Sequence, residues 1–250
     1  GLPAAVTITL AIGVKRMADV HAIIRKLPAV ETLGSTTVIC SDKTGTLTEN
    51  QMTVQKLLAG GEFYEMSGSG YAPEGEVTRD RAALEAAARP ALTECLRAGL
   101  LCNDSRLVRK DERWTVEGDP TEGALLVSAA KAGLQPGTDG AWVRTDVIPF
   151  ESERAYMATL HDPGEGGKPV AYVKGAVEKV LEQSGQALSR DGSTQNLDGD
   201  SVFKDAEAMA GEGLRVLAFA RKEMPAAQRA FESGDGIAGL TFLGLQGMID

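Results

Sequence analysis

The run Asp42-Lys43-Thr44-Gly45-Thr46-Leu47-Thr48, directly after Thr37-Val38-Ile39-Cys40-Ser41, constrains this chain more than any other feature. The β-branched run reads as a buried parallel strand. A carboxylate at the carboxyl end of such a strand opens into the crevice where open α/β sheets bind ligands. Small, hydroxylated and cationic residues follow, the mix that holds a phosphoryl group: Lys43 for charge, backbone N–H groups around Gly45 for the oxygens. Asp42 can attack a γ-phosphoryl group and become an acyl phosphate, splitting one transfer into two easier steps. Asp, Lys, Thr and Gly are also ordinary loop residues. A chance match to all seven residues, on the order of one in a billion per position, sets that alternative aside.

At 250 residues the chain can bury a sizeable core and form one or two domains. The net charge is −9, and residues 1 to 50 hold five Lys/Arg against four Asp/Glu, so the rest carries −10. An acidic body without a basic patch argues against nucleic acid as a partner. Three cysteines, Cys40, Cys95 and Cys102, are spaced for neither a disulfide frame nor a metal site and read as reduced thiols. Asn103-Asp104-Ser105 fits the glycosylation pattern, a match without meaning in a cytosolic loop. A calcium loop over Arg190–Asp200 is rejected because Val202 stands where its bidentate glutamate belongs.

Beyond Asn50 the pattern changes to short strands and helices. Strands are expected at Thr53–Ala59, Glu62–Met66, Trp114–Glu117, Ala141–Ile148, Tyr156–His161, Val170–Val173, Leu214–Ala220 and Leu240–Leu245. Helices are expected near Arg81–Ala88, Ala91–Cys102, Thr121–Ala132, Val177–Gln183 and Val202–Gly211, with Pro90 breaking the first pair. The Gly- and Ser-rich tracts Gly60–Gly75 and Ser184–Gly199 read as surface loops. Consecutive strands with few helices between them predict an antiparallel sheet. Residues 1 to 14, apolar apart from two threonines, would reach roughly 21 Å as a helix, short of the ~30 Å hydrocarbon core. With Lys15, Arg16, Arg25 and Lys26 next, they read as the cytoplasmic end of a membrane helix.

Asp-Lys-Thr-Gly-Thr-Leu-Thr resembles the signature of P-type ATPases, ion pumps of the haloacid dehalogenase superfamily that pass through an aspartyl phosphate. Further stretches are similar to the family in the right order: Gly1-Leu2-Pro3, Leu27–Gly34, Gly118-Asp119-Pro120-Thr121-Glu122, Pro149-Phe150 with Met157, Lys174-Gly175-Ala176, Leu214-Arg215-Val216-Leu217 and Gly247-Met248-Ile249-Asp250. The last resembles the hinge by which the chain re-enters the phosphorylation domain. Within the family the chain looks most like the calcium-pump branch in its bacterial form.

That resemblance implies an α/β fold: residues 15–50 as the first part of a haloacid dehalogenase-like, Rossmannoid phosphorylation domain, and residues 51–249 as an inserted α+β nucleotide-binding domain. It implies that ATP and Mg²⁺ are used. Asp42 would be phosphorylated, Lys43 and Thr44 would assist, and Mg²⁺ would sit on the Asp42 carboxylate and the Thr44 backbone carbonyl. The segment would lie on the cytoplasmic side of a multi-pass pump in a bacterial plasma membrane. The transport carboxylates and the rest of the phosphorylation domain are expected outside this chain, which alone should turn over little ATP.

No Gly-x-x-x-x-Gly-Lys-Ser/Thr occurs, so a P-loop is excluded. Family positions beyond Asn50 carry over to the nucleotide instead. Phe150 resembles the aromatic that stacks on adenine, although a strand-end aromatic is as readily a core residue. Lys174 resembles the lysine at the pocket floor, Gly175 would let nucleotide approach the backbone, and a lysine at a strand end is otherwise simply solvated. Arg215, inside an apolar strand, needs a partner, and a phosphate suits its fork; a nearby carboxylate is the alternative. Glu122 resembles the residue at the adenine edge, and also reads as the N3 member of a helix start with Asp119 as N-cap and Pro120 at N1.

Ser152 and Ala155 stand where family members often carry basic residues. Thr44 stands where soluble phosphatases of the superfamily place a second Asp as general acid/base, so the phosphoenzyme should be long-lived. The reading is a segment of an ATP-driven cation pump, with calcium first and Mg²⁺, Na⁺ or Mn²⁺ as alternatives. A nucleotide-binding module without catalysis is the rival from another class.

Overall fold

The computed structural model describes residues 1–26, 28–41, 51–135, 142–164, 166–231 and 237–250, so Asp42, Lys43 and Thr44 lie outside the described residues. The chain divides into two compact units, Gly1–Leu47 and Thr48–Asp250. In the first, α1 (Leu2–Asp19) carries a proline in its opening turn, where the missing N–H has no intrahelical partner to lose. It runs on through the basic Lys15-Arg16 pair. The hydroxyls of Thr7 and Thr9 donate to the carbonyls of Pro3 (3.0 Å) and Ala5 (2.9 Å), satisfying both polar side chains of the apolar stretch within the helix. A short α2 (Ala29–Gly34) follows. Among the described residues no helix is long and apolar enough to cross a membrane.

Thr37–Ser41 is not the buried strand its β-branched character suggests. The segment is irregular, with Val38 75% and Ile39 84% exposed. A strand exists through its neighbours, and no described residue of this unit forms one for it to pair with.

The second unit is built on β1 (Thr53–Ala59), β2 (Glu62–Met66), β3 (Val77–Arg79), β4 (Ala82–Ala83), β5 (Arg106–Lys110), β6 (Arg113–Glu117), β7 (Val143–Glu151), β8 (Tyr156–Asp162), β9 (Val170–Gly175), β10 (Ser184–Leu188), β11 (Thr194–Asn196), β12 (Arg215–Glu223) and β13 (Leu240–Ile249). Its helices are α3 (Pro90–Leu101), α4 (Pro120–Lys131), α5 (Val177–Glu182) and α6 (Gly199–Gly211). The main sheet runs β4-β3-β2-β1-β13-β12-β9-β8-β7, with β10 and β11 joined alongside β13, while β5 and β6 form a separate hairpin. Pairing is antiparallel throughout except between β10 and β13.

The long β13 is shared. Gly244–Ile249 pair with β1, and Leu240–Phe242 pair with β10. Gly247, Met248 and Ile249 thus pair with β1 up to the end of the strand. The sheet is covered on both faces, which is why β9 is buried along its whole length. Side chains alternate between two cores: Tyr172, Phe219 and Leu243 meet α3 and α4 residues such as Leu92, Leu96 and Leu125. Ala171, Val173, Ala218 and Leu245 pack with Val180 of α5 and Met209 of α6.

Three expectations fail in this unit. Gly60–Gly75 is not a loop throughout, since Glu62–Met66 within it form β2. Arg81–Ala88, rich in alanine, is not a helix: Asp80 and Arg81 have left-handed φ of 51° and 66° and turn the chain from β3 into β4. Only a 3₁₀ turn at Ala86–Ala88 remains, so tertiary pairing overrides alanine's helix propensity. Ser184–Gly199 is not one loop either. It forms the β10–β11 hairpin, held down by Leu188, which is 3% exposed.

Candidate functional site

A cleft of about 280 Å³ is lined by Asp119, Thr121, Glu122, Leu125, Phe150, Lys174, Gly175, Arg215 and Leu217. It gathers all five nucleotide positions expected of this unit, from four different elements: α4, β7, β9 and β12. Its size is at the lower edge for ligand pockets, enough for a base and sugar with phosphates extending outward. A larger cavity of about 530 Å³ under β5–β6 is lined chiefly by Leu, Val and Trp114, and offers one charged side chain, Arg106.

Each wall has a local cause. Between β7 and β8 the ladder pairs Ile148 with Ala158 and Glu151 with Tyr156, so Pro149 and Phe150 together oppose Met157. This β-bulge re-aims a side chain at the sheet edge, and Pro149 fits a position with no ladder donor. Phe150 is 60% exposed on the cleft, so the core-aromatic alternative fails.

Arg215 is the first residue of β12, not an interior one, and it is exposed. Among the described residues it makes no ion pair, so the alternative of carboxylate pairing fails as well.

Gly175 does line the cleft, but packing already requires a glycine there. A Cβ would sit 2.5 Å from both the Ala155 carbonyl oxygen and Tyr156 Cβ, where β8 enters the sheet. Closeness of two strands, not of a ligand, accounts for it.

Lys174 is not a solvated strand end. It is 7% exposed, its Nζ donating to Glu122 Oε1 at 2.5 Å and to the Cys102 carbonyl at 2.6 Å. Cys102 is fully buried beside it, and burial pushes its thiol pKa up, so it stays protonated. All three cysteines are free.

Glu122 departs from the capping expectation in one respect. Asp119 is the N-cap, its Oδ1 accepting from the N–H of Thr121 (2.8 Å) and Glu122 (3.2 Å), with Pro120 following. Glu122 does not reach back to the Asp119 N–H. Ser105 Oγ accepts that N–H at 2.9 Å and donates to Glu122 Oε2 at 2.9 Å, which also accepts from the Asp104 N–H at 3.1 Å. Sequence reasoning missed Ser105, whose only signal was its place in Asn103-Asp104-Ser105.

The cleft thus pairs Glu122 with Lys174 and presents the Phe150 ring and Arg215, which makes no ion pair among the described residues. That combination can hold a flat heterocycle carrying a negatively charged extension.

A family model described as "P-type ATPase, cytoplasmic domain N" matches residues 91–250. Over its whole length the chain is 56% identical to the cation-transporting ATPase pma1 of Synechocystis sp., 48% to the probable cation-transporting ATPase F of Mycobacterium tuberculosis and 37% to the calcium-transporting ATPase of Bacillus subtilis. It spans 28% of the length of each. With a nucleotide-sized cleft in the matched region, the chain belongs to the P-type ATPases.

Proposed function

We propose that the second unit binds ATP in this cleft and delivers its γ-phosphate to Asp42 within a longer cation pump. Phe150 stacks on the adenine ring, Glu122 and Lys174 meet its edge at the floor, and Arg215 takes the phosphates. The Asp42 carboxylate oxygen forms the new bond to the γ-phosphorus. The bond from that phosphorus to the β–γ bridging oxygen breaks, and ADP leaves with its electron pair. Lys43 and Thr44 assist on the phosphoryl oxygens. Mg²⁺ suits the hard oxygen donors of Asp42 and Thr44 and would neutralise charge on the phosphates.

One observation carries the reading: a single cleft collects an exposed aromatic, an arginine with no ion pair among the described residues and a largely buried Glu–Lys pair from four elements. The haloacid dehalogenase-like phosphorylation domain is proposed on the Asp42 motif, and calcium as cargo on the 37% identity to a calcium-transporting relative. The basic end of α1 supports a membrane pump with this segment on the cytoplasmic side.

Titration of the chain with ATP should give a Kd on the order of 0.1 to 1 mM. Arg215→Ala should weaken ATP about tenfold, roughly 1.4 kcal/mol, and leave adenosine unchanged. In the full-length protein, Asp42→Asn should abolish a hydroxylamine-sensitive phosphoenzyme. No saturable ATP binding, or label persisting on the Asn variant, would overturn the reading.

A further inference from the structure

The Asn103-Asp104-Ser105 turn lies directly beneath Glu122 and is tied to it on both sides. Asn103 Nδ2 donates to the carbonyls of Glu122 (2.9 Å) and Gly99 (3.0 Å), while its Oδ1 accepts from the Ser105 N–H at 2.9 Å. Arg144 anchors the turn from β7, donating to Asp104 Oδ1 at 2.6 Å. Ser105 is 8% exposed. It sits so close to the opposing strand end that a Cβ on Gly118, whose φ is +126°, would come within 2.2 Å of its Oγ. The glycine opening Gly118-Asp119-Pro120-Thr121-Glu122 is thereby explained: it lets Ser105 reach both Asp119 and Glu122.

An ionised carboxylate offers about four acceptor positions. At Glu122 three are filled: Oε1 by Lys174, Oε2 by Ser105 and by the Asp104 N–H. Among the described residues one position on Oε1 remains unfilled, at a group that lines the cleft. An anion held this way can only accept. It favours a purine with an amino group at the six position and repels one with a keto oxygen there.

We infer that Ser105 is a positioning residue for nucleobase selection: it fixes the Glu122 carboxylate so that its remaining acceptor reads the six-amino group of adenine. The inference rests on the nucleotide reading of the cleft. Without the Ser105 hydroxyl, Oε2 loses a donor and the carboxylate can rotate about its terminal torsion, which is broad in carboxylates.

The test measures ATP and GTP affinity of the chain at fixed folded fraction for four proteins: unsubstituted, Ser105→Ala, Glu122→Ala and the double variant. Ser105→Ala should weaken ATP about three- to tenfold and GTP less than twofold, shrinking the ATP/GTP preference accordingly. In the Glu122→Ala background Ser105→Ala should change ATP affinity no further, because a residue acting through Glu122 has nothing left to position. Ser105→Thr, which keeps the hydroxyl, should restore the preference. An unchanged ATP/GTP ratio in Ser105→Ala, or effects of the two substitutions that multiply, would overturn the role of Ser105 while leaving ATP binding intact. Failure of the unsubstituted chain to bind ATP would instead overturn the reading beneath it.

Discussion

Two glutamates on the same face of the sheet, one buried and one largely so, have opposite fates. Glu122 at the start of α4 is held by one cation, Lys174, and opens onto the cleft. Glu94 in α3 is held by two, Arg97 and Arg221, the latter at 2.5 Å, and also accepts from the Tyr172 hydroxyl at 3.4 Å. The rings around Glu94 close in: Tyr172 meets Trp142 edge-on at 5.9 Å, and Arg97 lies over Trp142. The first pair is charge-balanced with an acceptor to spare beside an exposed Phe. The second meets two guanidiniums and is closed in by aromatics. A buried carboxylate becomes a binding group through what is left unfilled around it, not through burial alone.

The largest effect should come from breaking the closed cluster. Glu94→Ala takes the shared carboxylate from Arg97 and Arg221, and removing one partner of a buried ionic group costs about 3–5 kcal/mol. Denaturant unfolding should show that loss, with ATP affinity of the folded fraction unchanged. A fall in affinity as large as that for a cleft variant would erase the distinction between the two glutamates.

Lys174→Ala should come next, at about 2–3 kcal/mol, because it leaves Glu122 only 14% exposed without its cation, with relief from the open side of the cleft. Here stability and ATP affinity should fall together, measured by melts with and without nucleotide. The double loss separates Lys174 from the solvated strand-end lysine that its sequence position suggests. A melt that does not move would return it to that role.

How much of this could be read in advance depended on the range of the interaction. β1 and β2 were legible to the residue from their composition, and Gly60 and Gly61, with φ of 60° and 76°, form the two-residue hairpin turn between them. β10 and β11 were not, since their polar composition mimics a loop and their order comes from pairing with β13, remote in sequence. Thr37–Ser41 misled for the converse reason: it has the composition of a strand without described neighbours. Glu122 and Lys174 were legible one at a time through their motifs. Their contact spans 52 positions and that of Ser105 with Glu122 spans 17, so neither leaves a local signature.

His161 ties the aromatic side of the comparison to pH. It is 3% exposed, stands 6.0 Å edge-on from Tyr172, and both ring nitrogens are buried. Burial, with the charge of Arg144 opposite on β7, pushes its pKa down to about 4 from 6.5. Unfolded chains therefore bind the extra proton between those values. The stabilisation is complete above about pH 6.5, falls as pH drops through that window, and is fully lost near pH 4, for up to about 3 kcal/mol. Replacing His161 with Phe should flatten the difference in unfolding free energy between pH 7 and pH 4 relative to the unsubstituted chain. Parallel curves would mean that His161 gains its proton without leaving the fold.

The smallest effect should also be the purest. Phe150 is 60% exposed at a bulge, so Phe150→Ala removes little buried area and should shift folding by under about 0.5 kcal/mol. The ring has no large structural task to lose. Its value is the face turned to the cleft, and stacking on a flat heterocycle is worth about 0.5–1.5 kcal/mol beyond area. ATP affinity should therefore drop roughly two- to tenfold, and adenosine affinity by the same factor, since stacking concerns the base and not the phosphates. Phe150→Leu keeps an apolar side chain without a ring face and should lose most of that factor. Phe150→Ala is then the mirror image of Glu94→Ala: affinity without stability against stability without affinity. If Phe150→Ala instead lowers the melt and leaves both ligands unaffected, the exposed aromatic is part of the fold, and the cleft loses the platform that distinguishes it from the closed cluster around Glu94.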